Sequence, residues 1–247
     1  MELRVLAHST ELMRQVAEHL AGAIDASVRQ RGRCRVVVSG GQTPRPLYRL
    51  LAAEYSSRIS WPNVEVFWAD ERYVPWTSPH SNYGMVKREL LDHVACPPEN
   101  VHPMPVSHDS PEAAALEYER ALRLLSAEGP AFDVVLLGLG QDGHTASLFP
   151  GSSSPMDSTR WVIPSTAPVP PTQRLTLTLP ALTAGAQVDV IVSGSAKASA
   201  LAYVLGERAD PLVAPAAGLL STSGTLVWWA DRAAAAQLPG RAPVPPR

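Results

Sequence analysis

The chain has 247 residues, a formal net charge of −2 and 45% hydrophobic content, enough to bury a full core in one α/β domain. That charge balance excludes the clustered Lys and Arg of a nucleic-acid footprint, and no run of about 18 apolar residues is present to span a membrane. Cys34 and Cys96 form no metal, redox or disulfide pattern, and the start Met1-Glu2-Leu3-Arg4-Val5 lacks the charged-then-apolar order of a signal peptide, so a cytoplasmic location is expected.

Taken in chain order, Leu12, Val16, Leu20, Ile24 and Val28 recur every four residues, as one stripe of a helix requires. Apolar runs of strand length follow at residues 35–39, 64–69, 132–138, 174–179, 188–193 and 225–229. Helical patterns fall between them at 46–53, 83–93, 112–127 and 196–205. This alternation predicts βαβ units in a single α/β domain over residues 1–238. The expected fold is Rossmann-like, with a mostly parallel central sheet and helices on both faces. Residues 239–247 are rich in proline and are expected to form a mobile tail.

In a parallel sheet the loops after the strands share one rim, which is where open α/β folds bind ligands. After the run at 35–39 comes Gly40-Gly41-Gln42-Thr43-Pro44-Arg45. Thr43 is expected to cap the next helix, with Pro44 in its first position, and a helix start of this kind offers free N–H groups to a phosphate. An ordinary β-to-α turn explains the same residues. After 64–69 come Asp70-Glu71-Arg72, readable either as a solvated corner or as charges facing that rim. Arg174 opens an alternating Thr/Leu strand that reads as half-buried, so the arginine is open to the reading of a simple edge charge. Lys197 follows Gly194-Ser195-Ala196 and is expected in the first turn of a helix, where a cation opposes the macrodipole unless an anion binds beside it.

The most informative stretch is Gly138-Leu139-Gly140-Gln141-Asp142-Gly143-His144-Thr145, directly after a buried apolar run. It matches the G-x-G-x-x-G pattern of dinucleotide-binding proteins, but that pattern requires a long helix at the third glycine and an acid about 20 residues on. Here residues 144–149 run into Pro150-Gly151, and residues 153–160 are polar and broken by Pro155, so no nicotinamide or flavin cofactor is expected. Asp142 and His144 instead emerge two residues apart, and imidazole is the side chain that exchanges protons near neutral pH. None of the seven histidines lies in H-E-x-x-H or another close ligand pair, and neither a G-x-S-x-G elbow nor a Walker A sequence is present. No metal and no cofactor is therefore expected.

Taken together, these loops resemble the 6-phosphogluconolactonase family. The stretches that carry the resemblance are Ser39–Pro44, Trp68–Pro75, Ser81-Asn82-Tyr83, Gly138–Gly151, Arg174-Leu175-Thr176 and Gly194–Lys197, in family order. The resemblance implies the glucosamine-6-phosphate deaminase-like fold and hydrolysis of 6-phospho-D-glucono-1,5-lactone, a step of the oxidative pentose phosphate pathway. It implies His144 as general base, Asp142 as its orienting partner and Arg72 as the oxyanion stabiliser. Gly40, Gly41, Gln42, Thr43, Arg174 and Lys197 would hold the phosphate, and Asp70 would bind sugar hydroxyls, whereas Glu71 receives no role. The implied partner is a small sugar-phosphate lactone, with neither nucleic acid nor membrane, and the protein is expected to be a monomer or weak homo-oligomer. Two alternatives stand beside this reading: a deaminase-like isomerase, and a non-catalytic sugar-phosphate-binding regulator. The deaminases carry a glutamate where this chain has Phe149 and favour a tyrosine where it has Arg72, and both departures favour the lactonase.

Overall fold

The computed structural model describes residues 1–126, 131–152 and 159–239. Residues 240–247 of the predicted tail and 153–158 of the polar stretch lie outside the described residues. The elements are β1 (Glu2–Leu6), α1 (Ser9–Arg31), β2 (Cys34–Val38), α2 (Arg45–Glu54), β3 (Val64–Trp68), β4 (Asp70–Arg72), α3 (Asn82–Glu89) and β5 (Val101–His102). They continue with α4 (Pro111–Leu125), β6 (Val134–Gly138), β7 (Val162–Thr166), β8 (Gln173–Leu177), α5 (Leu179–Thr183), β9 (Gln187–Val192), α6 (Ala198–Val204) and β10 (Thr225–Asp231).

The main sheet has seven strands in the order β1-β10-β9-β6-β2-β3-β5, every adjacent pair parallel. Every residue of β2 and all but the first of β9 are buried, so both faces of the sheet are covered, as a parallel sheet requires. On α1, Leu12, Val16, Leu20 and Ile24 of the predicted stripe are buried, and the helix packs against β1, β2, β6 and β10. From β2 the chain runs outward to β3 and β5, then returns to place β6 on the other side of β2. The strand order reverses between β2 and β6, and the crevice beyond their carboxyl ends is where such sheets hold ligands. Ser39 locks the two strand ends together. Its Oγ donates to the Leu136 carbonyl at 2.7 Å, its N–H donates to the Tyr48 hydroxyl at 3.1 Å, and that hydroxyl donates to the Ser39 carbonyl at 2.6 Å.

Five expectations are corrected. The strand predicted at 174–179 is β8, the middle member of a separate three-stranded antiparallel sheet, β4-β8-β7. It leaves the main sheet because the chain turns at Ala69 and pairs Asp70–Arg72 with it. It is also buried on both faces from Arg174 to Leu177, so Arg174 is no edge charge. Thr43 does not cap α2: the cap position falls on Pro44 and no side chain bonds the helix start. Lys197 ends a short 3-10 turn, Ser195–Lys197, and occupies the cap of α6 rather than its first turn. The helix predicted over 83–93 stops at Glu89, with a 3-10 turn at Leu91–His93. Four strands had no sequence prediction: β1, β4, β5 and β7. Pro164 obscures β7, and it is tolerated because β7 is an edge strand.

Candidate active site

Loops from β2, β3, β6 and β9 converge on a cleft of about 400 Å³ at the switch point. It is lined by Gly40, Gly41, Gln42 and Thr43, by Asp70 and Arg72, by Gly140 and His144, and by Lys197, so most of the predicted site residues meet there. Asn82 also lines it. Asp142 and Arg174 are not among the lining residues, but Asp142 bonds the lining His144 and Arg174 pairs opposite the lining Arg72. A larger and more apolar hollow of about 460 Å³ adjoins the cleft at Gln42 and Thr43, but its one charged lining residue, Arg14, is paired with Glu54. The titratable groups face the smaller cleft.

The loop after β6 folds back on itself. The Gly140 N–H donates to the His144 carbonyl at 2.7 Å, and the Thr145 hydroxyl donates to the Gly138 carbonyl at 2.9 Å. No helix forms over the described residues 144–152, where a dinucleotide fold has its packing helix. His144 Nδ1 lies 2.6 Å from Asp142 Oδ1, and the same oxygen accepts the His144 N–H at 3.1 Å. Burial pushes the Asp142 carboxyl up, but its hydrogen bonds and attraction to His144 outweigh this and hold it below the usual carboxylate range. An ionised carboxylate only accepts, so Nδ1 is the protonated nitrogen of this bond and the neutral tautomer it selects is the one with a lone pair on Nε2. Gly140 makes the pair possible: a Cβ there would stand 2.1 Å from His144 Nδ1 and 2.5 Å from Asp142 Oδ1. The Phe149 ring packs against the imidazole with centroids 5.0 Å apart.

The short β4–β8 ladder carries the site's cations. Arg72 stands directly opposite Arg174, and Asp70 opposite Thr176, so these four residues share one face and Glu71 the other. Arg72 donates from Nη1 to the His80 carbonyl at 2.7 Å, while its Nε is buried without a partner. Arg174 is 7% exposed, and its guanidinium has no hydrogen-bonding partner among the described residues. Burial and the neighbouring Arg72 charge lower its proton affinity, and Asp70 and Glu71 offset only part of this. Lys197 likewise has no hydrogen-bonding partner among the described residues; burial depresses its pKa against the attraction of Asp142. Three cations thus meet around one cleft, without carboxylates bonded to them.

Glu71, left without a role by the sequence, is a clamp. It is buried, and it accepts from the N–H groups of Arg72, Asn82 and Tyr83 at 2.7, 2.7 and 2.8 Å and from the Ser81 hydroxyl at 3.0 Å. Burial pushes its carboxyl up against the pull of these amides. It ties the start of α3 to β4 and so brings Asn82 to Asp70, where Asn82 Nδ2 donates to the Asp70 carbonyl at 2.8 Å and to Oδ1 at 3.2 Å. Ser147 Oγ donates to the other Asp70 oxygen at 2.7 Å. Sequence reading missed Asn82 and Ser147 as site residues. The signal for Asn82 was its place after Ser81, a helix-capping residue, and Gly40 leaves room for it: a Cβ at Gly40 would stand 1.7 Å from Asn82 Oδ1. Among the described residues, no cluster of three His, Cys, Asp or Glu side chains is arranged to hold a metal ion. No described helix is long and apolar enough to cross a membrane.

Residues 7–228 match the family described as Glucosamine-6-phosphate isomerases/6-phosphogluconolactonase. The chain is 42% identical over 245 residues to the 6-phosphogluconolactonase of Mycobacterium tuberculosis, an alignment covering 96% of this chain and 98% of that one. Its structure is similar to 6-phosphogluconolactonase from Trypanosoma cruzi, with a TM-score of 0.85, 29% identity, and coverage of 96% of this chain and 97% of that one. A monomeric glucosamine-6-phosphate deaminase, at 22% identity and a TM-score of 0.83 over 96% of this chain and 100% of that one, shares the fold. With a family match that spans most of the chain and a near full-length relative above 40% identity, the chain belongs to the glucosamine-6-phosphate isomerase/6-phosphogluconolactonase family.

Proposed function

We propose that the protein hydrolyses 6-phospho-D-glucono-1,5-lactone to 6-phosphogluconate, without a metal or organic cofactor. The observation that carries the reading is a carboxylate-oriented imidazole facing a cleft ringed by unpaired cations, in a chain whose full-length relatives are named 6-phosphogluconolactonase. His144 Nε2 takes a proton from water as the water oxygen attacks the lactone carbonyl. Arg72 stabilises the tetrahedral oxyanion, help of a kind worth about 3–4 kcal/mol. As the intermediate collapses, the C1–O5 bond breaks and the imidazolium returns its proton to the ring oxygen. The product acid then ionises to solvent. Asp142 holds the imidazole in the required tautomer, as the acid of a triad does. The Gly40–Thr43 turn, the uncapped start of α2 and Lys197 hold the phosphate, with Arg174 adding its charge from beside Arg72. Asp70, with lone pairs left after its bonds to Asn82 and Ser147, accepts from a sugar hydroxyl. A cytoplasmic location and a monomeric or weakly associating state belong to the same reading.

The deaminase reading is disfavoured by Phe149, whose ring stands against the imidazole and relays no proton. The discriminating experiment follows freshly made phosphogluconolactone and glucosamine 6-phosphate in parallel. Lactone opening well above the spontaneous rate, with no ammonia above background, is expected. Ammonia release at a rate matching lactone opening would reverse the choice, and inactivity on both with retained sugar-phosphate binding would favour a regulator.

His144→Ala is expected to lower kcat by about 10²–10⁴ with little change in 6-phosphogluconate affinity. Gly140→Ala should approach the same loss, because its Cβ occupies the place of the imidazole. Near-normal turnover in either variant would remove His144 as the base.

Burial lowers the Lys197 pKa below its ordinary 10.5, and a bound phosphate would raise it again. Affinity for 6-phosphogluconate should therefore weaken as pH rises through the depressed value, with proton uptake on binding in that range. Calorimetric titration from about pH 7 to about pH 10 reads both effects, and Lys197→Arg, which stays charged, should flatten the limb. A limb that persists unchanged in the arginine variant would place the titrating group elsewhere.

A further inference from the structure

We propose that Asp231, outside the cleft and absent from every role assigned above, is the positioning residue for Lys197; the proposal rests on the phosphate reading of that lysine. Asp231 ends β10, beside the carboxyl end of β9, and is 4% exposed. Its carboxylate meets no Lys or Arg among the described residues but is saturated by neutral donors. The Ser193 hydroxyl donates to Oδ2 at 2.5 Å, the Gly194 N–H reaches both oxygens at 3.0 and 3.2 Å, and the Ala234 N–H donates to Oδ1 at 2.8 Å. Gly194 has φ +91, a conformation that an L side chain resists, and the carboxylate holds it there. The carbonyl of Gly194 in turn accepts the Lys197 N–H at 3.1 Å. Asp231 therefore reaches the Lys197 backbone through one residue and two hydrogen bonds.

The chemistry explains why the residue is an acid. The Ser193 hydroxyl and the Gly194 amide both point donors at one edge of the side chain. Oδ2 accepts from Ser193 and Gly194 while Oδ1 accepts from Ala234, so an asparagine of the same shape would turn its NH2 toward one of these donors. A buried carboxylate without a cation is costly unless several donors satisfy it. Here the donors come from the two strand ends and from the turn that carries Lys197. The long amine of Lys197 would otherwise have many arrangements, and fixing its backbone narrows them.

The experiment compares Asp231→Asn, Lys197→Gln and the double variant on the phosphorylated lactone and on glucono-1,5-lactone. Lys197→Gln is measured first: if it leaves the preference for the phosphorylated substrate intact, the phosphate reading itself fails. If it narrows that preference, Asp231→Asn is expected to raise KM for the phosphorylated lactone about 10-fold, the worth of one charge-assisted hydrogen bond. It should change kcat little and spare the unphosphorylated lactone. The double variant should be no worse than Lys197→Gln alone. Additive losses, equal losses on both lactones, or no effect would overturn the proposal. Should Asp231→Asn fail to fold, Ser193→Ala removes one donor and Gly194→Ala strains the turn. Each is then expected to show the same substrate-selective, non-additive loss, and its absence in both would be equally decisive.

Discussion

Two arginines face one another across an antiparallel ladder, and much of the site follows from how that arrangement is tolerated. Like charges directly opposite on one sheet face repel, and a buried cation without a partner is among the costliest groups a protein can hold. Both arginines meet the first condition and the buried Arg174 meets the second, with an unpartnered Nε on each. The surrounding structure supplies partial relief only. Asp70 shares their face but is already bonded to Asn82 and Ser147, and Glu71 turns to the other side to clamp α3. What remains uncompensated is positive potential directed at the cleft, available to an anionic substrate. The main parallel sheet contributes the other half of the site. At its switch point Ser39 and Tyr48 lock β2 to β6, which fixes the Gly40–Thr43 turn relative to the Asp142–His144 pair.

The cleft thus joins a rigid half and an electrostatically tense half. The loop after β6 is closed by its own backbone bonds and needs Gly140 for the imidazole to lie flat. The β4–β8 ladder holds Arg72 and Arg174 without carboxylate partners, as the proposed binding of an anionic substrate needs. This division suits a lactone hydrolase, in which the base must be oriented before substrate arrives while the cations act on charge that substrate brings.

The five inner strands of the main sheet were legible because they are largely apolar runs, whereas its edge strands β1 and β5 were not, and α1 was legible because its stripe keeps a period near four over most of its length. The loop after β6 was legible because three glycines, an acid and a histidine follow a strand too apolar to be surface. The small sheet was not. Asp70-Glu71-Arg72 carries no apolar residue to signal a strand, and its partner β8 shows a Thr/Leu alternation that reads as half-exposed although both faces are covered. Asp231 and Asn82 were hidden for a related reason: each bonds to groups that topology brings to it, Ser193 and Gly194 in one case and Asp70 in the other, which local spacing does not encode. The Thr43 cap failed by one residue, because Pro44 takes the helical backbone angles of a cap without offering a side-chain acceptor.

The central claim is that Arg174 is held at a cost to the empty protein because an anion repays it on binding. Melting of wild type and Arg174→Met with and without 6-phosphogluconate tests this most directly. Without ligand, the variant should be as stable as wild type or more so, since an unpaired buried charge gives way to apolar atoms. With ligand, wild type should gain clearly more than the variant, as mass action from tighter binding requires. A variant that is destabilised when empty and gains as much from 6-phosphogluconate as wild type would contradict the account.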